Sequence, residues 1–308
     1  MYKYSLFSDG VSVGIHSKTD LQSIFAKWNK LIHFTGVEVS LGGHQEFVVE
    51  YNNIPDNEVF YSGKQAHINM PFEKLETGEL LFYSALPFLE IQRQRNSAVT
   101  MHAAAVEFSG KAVLLLGKSG AGKTSIALSL CLNNRARLIG NDILIAGVVD
   151  GNVAVSSGNK FLRLRRESVK RNIPKLLNLF PVSEKDPWTH KIDCLPDTLG
   201  IDTCNANMSI GRSYLVHVDN TMDKLYVANA NTMDTRLYLN ENMSRYIRGT
   251  AIAIFDESSQ FMGYVPSYDL PNFFRMRIKL AEKVITETEI KYVSGSLNDI
   301  CQYIISEK

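Results

Sequence analysis

The chain has 308 residues, long enough for two ordinary cores, and its 45% hydrophobic and 21% charged content is that of a globular protein. With 33 basic against 32 acidic residues the formal charge is +1, so no whole-surface nucleic-acid role and no nucleic-acid partner is expected. Cys131, Cys194, Cys204 and Cys301 form no C-x-x-C pair, the opening MYKYSLFSDG lacks a signal-peptide pattern, and no run of about 18 apolar residues occurs, so a reduced, cytoplasmic protein without a membrane partner is expected.

In chain order, residues 1–75 read as mostly β. FTGVEVSL, EFVVEY and AHINM are β-branched or aromatic runs separated by Gly, Asn and Pro signals. DLQSIFAKWNKLIHF interrupts them with apolar residues near helical spacing. GELLFYSALPFLEIQRQRN reads as a second helix, with Pro87 predicting a kink or break. AAAVEF and AVLLLG flank a Ser-Gly turn and read as a hairpin or adjacent strands, and SIALSLCL follows with the density of a buried helix. RLIGNDILIAG reads as a further strand, LRLRRESVKRNIPKLLNLF as a strand running into a basic helix with Pro174 near its break, and SYLVHVD as an apolar strand ending in acid. Two helices, LPNFFRMRIKLAEKVI and SLNDICQYIISE, are expected at the end.

Gly117-Lys118-Ser119-Gly120-Ala121-Gly122-Lys123-Thr124 fits G-x-x-x-x-G-K-[ST] at every fixed position. The three glycines permit backbone conformations and close approaches that a Cβ would block. Successive amides then form an anion nest, reinforced by the dipole of the following helix, so Ser125 joins the candidate binding set. Lys123 would supply a point charge between phosphates and Thr124 a hydroxyl ligand for Mg²⁺. Average composition would give such a match by chance in roughly one chain of this size in a hundred, and the strand before and helix after lower that further. ATP and Mg²⁺ are therefore the expected cofactors.

The neighbourhood MHAAAVEFSGKAVLLLGKSGAGKTSIALSLCLNNRARLIGNDILI carries a histidine, strand, phosphate loop, helix and strand-acid in that order. It resembles the core of the HPr serine kinase family and its HPr kinase-related relatives, grouped with the phosphoenolpyruvate carboxykinases. The resemblance covers roughly residues 100–150 closely and 186–220 loosely. It implies an α/β, P-loop nucleotide-binding core of the HPr kinase/phosphoenolpyruvate carboxykinase type over residues 98–308, with a smaller β-rich N-terminal domain over residues 1–97. It also implies ATP- and Mg²⁺-dependent phosphorylation of a hydroxyl on a protein, peptide or small molecule. Some members of the family are oligomers, which makes a homo-oligomer one of the implied partners. His102 would lie beside the transferred phosphate, and the strand-end acids would bind metal and accept the hydroxyl proton. The family's tandem acids read Asn141-Asp142 here, so one carboxylate, Asp142, remains as catalytic and metal-binding candidate. An amide does not accept a proton at neutral pH, although phosphoryl transfer leans mainly on positioning and electrostatics.

The remaining candidates stand apart from the loop. Arg163 and Arg165, with Lys160 and Arg166, lie on a partly alternating run consistent with one basic strand face that could hold phosphate or an acidic substrate, or could be a solvated face. Asp219 ends SYLVHVD, and Arg245 and Arg248 precede GTAIAIF; Trp188, His190, Lys191 and Asp193 occupy a Pro-flanked stretch. The N-terminal region could add a peptide to a sheet edge or act as scaffold. Two functions compete: a kinase of HPr kinase-like type, and a nucleotide-binding regulatory or assembly protein with little phosphotransfer, which Asn141 favours. A transport ATPase or GTPase is disfavoured because no LSGGQ-type or N-K-x-D signature is present.

Overall fold

The structure, a computed structural model, describes residues 1–31, 37–75, 78–181, 190–204, 207–249, 253–256 and 258–307. The first part of the chain gives strands β1 (Tyr2–Ser8), β2 (Val11–Ser17), β3 (Val37–Leu41), β4 (Val48–Asn52), β5 (Glu58–Ser62), β6 (Gln65–Asn69) and β7 (Ala98–Met101), with helices α1 (Gln22–Leu31) and α2 (Glu79–Arg95). The middle gives β8 (Ala104–Phe108), β9 (Lys111–Leu116), α3 (Lys123–Asn134), β10 (Arg137–Gly140), β11 (Leu144–Val149), β12 (Asn152–Gly158), β13 (Leu162–Arg165), α4 (Arg166–Asn172), β14 (Lys191–Cys194), β15 (Met208–Val218) and β16 (Tyr226–Asn229). The rest is α5 (Thr232–Ser244), β17 (Ala253–Phe255), β18 (Phe261–Tyr264), α6 (Pro271–Thr288), β19 (Lys291–Gly295) and α7 (Leu297–Ser306). The fold is mixed α/β.

By contacts the chain divides into two compact units. The first joins Met1–Thr100 with Leu239–Lys279, and the second joins Met101–Tyr238 with Leu280–Lys308. The segment Leu239–Lys279 thus clusters with the N-terminal part, although the sequence had placed it in the 98–308 core.

In the first unit six strands form one mixed sheet in the order β3-β1-β2-β4-β6-β5. The turn between β1 and β2 is Asp9-Gly10, with φ of 50° and 79°, a two-residue connection whose twist matches the paired strands. Helix α2 lies across β2, β4 and β6 and buries nearly its whole length from Leu80 to Gln94. Pro87 sits inside this continuous helix, so the predicted break does not occur. Burial on all sides outweighs the hydrogen bond that the missing N–H forgoes.

A buried polar network attaches the late segment to α2. Thr100 N donates to both oxygens of Glu90 at 3.2 and 3.1 Å, and Gln94 Nε2 donates to Glu90 Oε1 at 2.7 Å. Arg93 donates to Thr100 Oγ1 at 3.1 Å and to Ser8 Oγ at 2.5 Å. From α6, Arg277 donates to Gln94 Oε1 at 2.8 Å and grips Asp269 with both nitrogens at 3.0 and 2.8 Å. Burial pushes the Glu90 carboxyl up, against the pull of Arg93. The members are linked through one another, so truncating one leaves several groups short of a partner.

Glu90→Ala should therefore cost about 3–5 kcal/mol, because the Thr100 N–H and Gln94 amide lose their acceptor and Arg93 its nearby charge. Glu90→Gln, which keeps one acceptor oxygen, should cost less than half as much. Urea unfolding followed by circular dichroism separates the two, and equal losses would rule out this account.

Candidate functional site

In the second unit the sheet runs β10-β8-β9-β15-β12-β11, and β19, joined by β16, pairs with the far end of β15. Strands β8 and β9 form the expected hairpin, closed by Ser109-Gly110 with φ of 55° and 81°. Strands β9, β15 and β19 are parallel to one another, and β8 is antiparallel to both β9 and β10. The carboxyl ends of β9, β10, β15 and β19 consequently share one edge, the place where open α/β sheets present loops to ligands.

That edge gathers most of the residues picked out from sequence. Gly117 follows β9, Asn141 and Asp142 follow β10, and Asp219 follows β15. His102 stands two residues before Ala104, which pairs with Leu115, itself two residues before Gly117. His102 and Asp142 are each half-buried. The expected single strand RLIGNDILIAG is broken at this point into β10 and β11, and Asp142 takes a left-handed φ of 65° in the bend.

The glycine loop is shaped by close backbone approach. A Cβ on Gly117 would stand 2.8 Å from Val216 O, and one on Gly122 would stand 2.3 Å from Val218 Cγ2, while both residues have positive φ (148° and 92°). Val218 N donates to Ala121 O at 3.0 Å, fixing the loop to β15, and Ala121 N donates to Lys118 O at 3.1 Å across the turn. Lys118, Ser119 and Gly120 are exposed at the tip, whereas Ala121 is buried. Gly122 in left-handed conformation starts α3 with no capping side chain and no acid in the first turn. By contrast, Ser296 caps α7 by accepting from Asp299 N. An uncapped helix start followed by Lys and Thr leaves the positive end of the dipole available to an anion.

Lys123 is 5% exposed and its Nζ donates to Gly117 O at 2.8 Å and Lys118 O at 3.1 Å, which holds the ammonium beneath the loop. Thr124 donates its hydroxyl to Asn141 Oδ1 at 2.7 Å, linking the helix start to the end of β10. Ser125 is buried, and its Oγ accepts from Asn172 Nδ2 of α4 at 3.2 Å. Asp219 accepts from the Thr221 hydroxyl at 2.6 Å and the Thr221 amide at 2.9 Å, and these donors hold its carboxyl below the ordinary range.

Other sequence candidates are placed away from these contacts. Arg163 forms a two-point ion pair with Asp193 at 2.8 and 3.1 Å, where β13 meets β14, and Arg165 is exposed on the same face. Lys160 does not share that face, correcting the reading of one basic strand. It is 9% exposed and donates to the carbonyls of Leu138 at 3.1 Å, Cys204 at 2.6 Å and Ile139. His190 is buried with its ring edge-on to Phe180, Lys191 and Asp193 lie in β14, and Trp188 lies outside the described residues. Arg248 pairs with Glu241, and the Arg245 guanidinium lies over the Tyr246 ring, both within the first unit.

One contributor escaped sequence reasoning, and one sequence candidate acts in another way than expected. Tyr238 on α5 accepts the Gly117 N–H at 2.7 Å and so steadies the first loop residue. Lys160, through Leu138 and Ile139, steadies the strand that carries Asn141. A lysine close to Gly or Asn in a polar stretch gives no sign of either burial or partner.

No family model and no curated protein matches the chain. Among solved structures, that of the Hpr(Ser) kinase/phosphatase from Coxiella burnetii is similar at 15% identity, covering 42% of this chain and 77% of that one with a TM-score of 0.26. Among the described residues no helix is long and apolar enough to cross a membrane.

Burial lowers Lys160 from the ordinary 10.5 to about 8. The folded state therefore holds its proton less tightly than the unfolded chain between those values, and stability rises with pH across that window. Unfolding free energies measured from pH 7 to 10 should show wild type gaining on Lys160→Met above pH 8. Parallel curves would exclude a buried titrating amine.

Proposed function

We propose that the chain is an ATP-dependent phosphotransferase that moves the γ-phosphoryl group to a hydroxyl of a protein, peptide or small molecule. The observation that carries this reading is the glycine loop closed over the Lys123 ammonium at an uncapped helix start. Those residues fit a polyphosphate. The positions at Gly117 and Gly122 admit no Cβ, and the first-turn amides of a helix have no carbonyl four residues back within that helix. In the transfer, the bond from the γ-phosphorus to the bridging oxygen breaks, a bond to the acceptor oxygen forms, ADP leaves, and the hydroxyl proton passes to a carboxylate or to water. Lys123 would hold the charge that develops on the phosphate oxygens, and His102 would stand near the transferred group. Asp142 is the carboxylate for the proton, a task that the Asn141 amide does not perform.

Magnesium would bind Thr124 and Asp142. Thr124 directs its proton to Asn141 and keeps its lone pairs for a cation. Among the described residues no group of three or more His, Cys, Asp or Glu forms a metal cluster; magnesium at a phosphate site is held largely by phosphate and water. When bound, the ion would neutralise charge on the phosphates. The acceptor and a homo-oligomeric partner remain part of the proposal, and the exposed Arg163–Asp193 face is a place for an acidic substrate.

A second reading is favoured by one observation: the residue bonded to Thr124 is a buried amide rather than a carboxylate. On that reading the protein binds nucleotide and signals or assembles without transferring phosphate.

Calorimetric titration with ATP and a labelled-phosphate transfer assay distinguish them. Lys123→Ala should weaken ATP binding by at least about tenfold, a change near 1.4 kcal/mol. Asp142→Ala should leave binding within about threefold while removing turnover if the protein is a kinase. Binding without turnover in wild type supports the regulatory reading, and equal affinity in wild type and Lys123→Ala ends both.

A further inference from the structure

The Asn141 carboxamide is 1% exposed and only half satisfied. Its Oδ1 accepts the Thr124 hydroxyl at 2.7 Å, whereas its Nδ2 has no hydrogen-bond partner among the described residues. The surrounding backbone restrains it. Asn141 N donates to Asn159 O at 2.7 Å, Ile143 N donates to Asn141 O at 2.8 Å, and Lys160 holds the two carbonyls of Leu138 and Ile139 just upstream. Gly140 is packed so closely that a Cβ there would lie 2.6 Å from Leu144 and 2.7 Å from the Gly158 backbone.

A buried N–H without an acceptor is unfavourable, and proteins seldom leave one unless something outside the chain completes it. This donor belongs to the side chain bonded to the residue that follows Lys123. A carboxylate in the same place would offer negative oxygens to a divalent cation. The amide offers the positive end of an N–H dipole, which repels a cation and matches an anionic oxygen. The side chain at this point therefore presents a donor, while its oxygen is engaged by the Thr124 hydroxyl.

Resting on the nucleotide reading above, we propose that Asn141 recognises a phosphate oxygen directly through Nδ2, so that the site holds a nucleoside triphosphate with little dependence on a divalent cation. Asn141 is then a specificity-determining residue that exchanges metal dependence for a direct hydrogen bond. Aspartate at this position would reverse the exchange: its charge would repel the phosphate until a cation intervened.

The test is calorimetric titration of ATP into the full chain with magnesium and with EDTA, for wild type, Asn141→Asp and Asn141→Ala, with Lys123→Ala as control. Wild-type affinity should fall by less than about threefold in EDTA. Asn141→Asp should lose at least about tenfold in EDTA and regain most of it with magnesium, and Asn141→Ala should lose about tenfold in both buffers. A wild-type loss of tenfold or more in EDTA overturns the proposal without needing any variant to fold, as does unchanged affinity in Asn141→Ala. ATP binding by wild type that Lys123→Ala abolishes, together with strict magnesium dependence, would sink this inference alone. Absence of ATP binding by wild type in either buffer would sink the nucleotide reading and this inference with it.

Discussion

At Gly122 the chain passes so close to Val218 that a single added carbon would overlap the valine side chain, and the backbone there is left-handed. The other features of the loop follow from that contact. Strand β15 acts as the wall: it supplies Val216 O against Gly117 and the Val218 N–H to Ala121 O. Because β15 runs parallel to β9 in fixed register, the loop leaving β9 meets this wall at two points and must turn between them. Helix α3 then starts without a cap, which directs Lys123 under the loop and Thr124 toward β10. The interior of the unit supports this geometry, since Ile126, Ala127, Leu130 and Cys131 of α3 pack with Val113 and Leu115 of β9 and Ile300 of α7.

The first unit is held by a different kind of interaction. Glu90, Arg93 and Arg277 are fully buried, and the gain from pairing such charges is largely offset by the cost of removing them from water. Their contribution lies in specifying which segments come together. Arg277 from α6 reaches Gln94 and Asp269, and Gln94 in turn reaches Glu90 and the Met243 carbonyl, so the late segment is matched to α2 by direction and charge as well as by apolar contact.

The parts readable from sequence were those whose information is local. The glycine loop, the helix behind it and the β8–β9 hairpin lie within about thirty consecutive residues, and glycine spacing with turn chemistry was enough to place them. The same turn chemistry at Asp9-Gly10 marks the β1–β2 hairpin. Pro87 misled because propensity describes an isolated helix, and α2 is buried on nearly every side. The side of the sheet occupied by Asn141 was legible as a strand end. Its partner Thr124, seventeen residues earlier, and its Nδ2, without an acceptor among the described residues, were not, because both depend on where that strand is laid down. Arg163 and Lys160 looked alike in sequence and differ entirely in the fold, one on a solvated ion pair and the other beneath three carbonyls.

Lys160 links carbonyls at 138 and 139 to one at 204, across 22, 21 and 44 residues of chain. The loop and α3 are assembled from neighbours, but the strand end bearing Asn141 acquires its ammonium strut only when Lys160, about twenty residues on, has been laid down, and the strut is complete only when Cys204 joins it. Loop closure over such distances is slow relative to forming a helix or a hairpin. On a growing chain the glycine loop would therefore exist before the strand end that meets it is braced, and the two would mature on separate clocks.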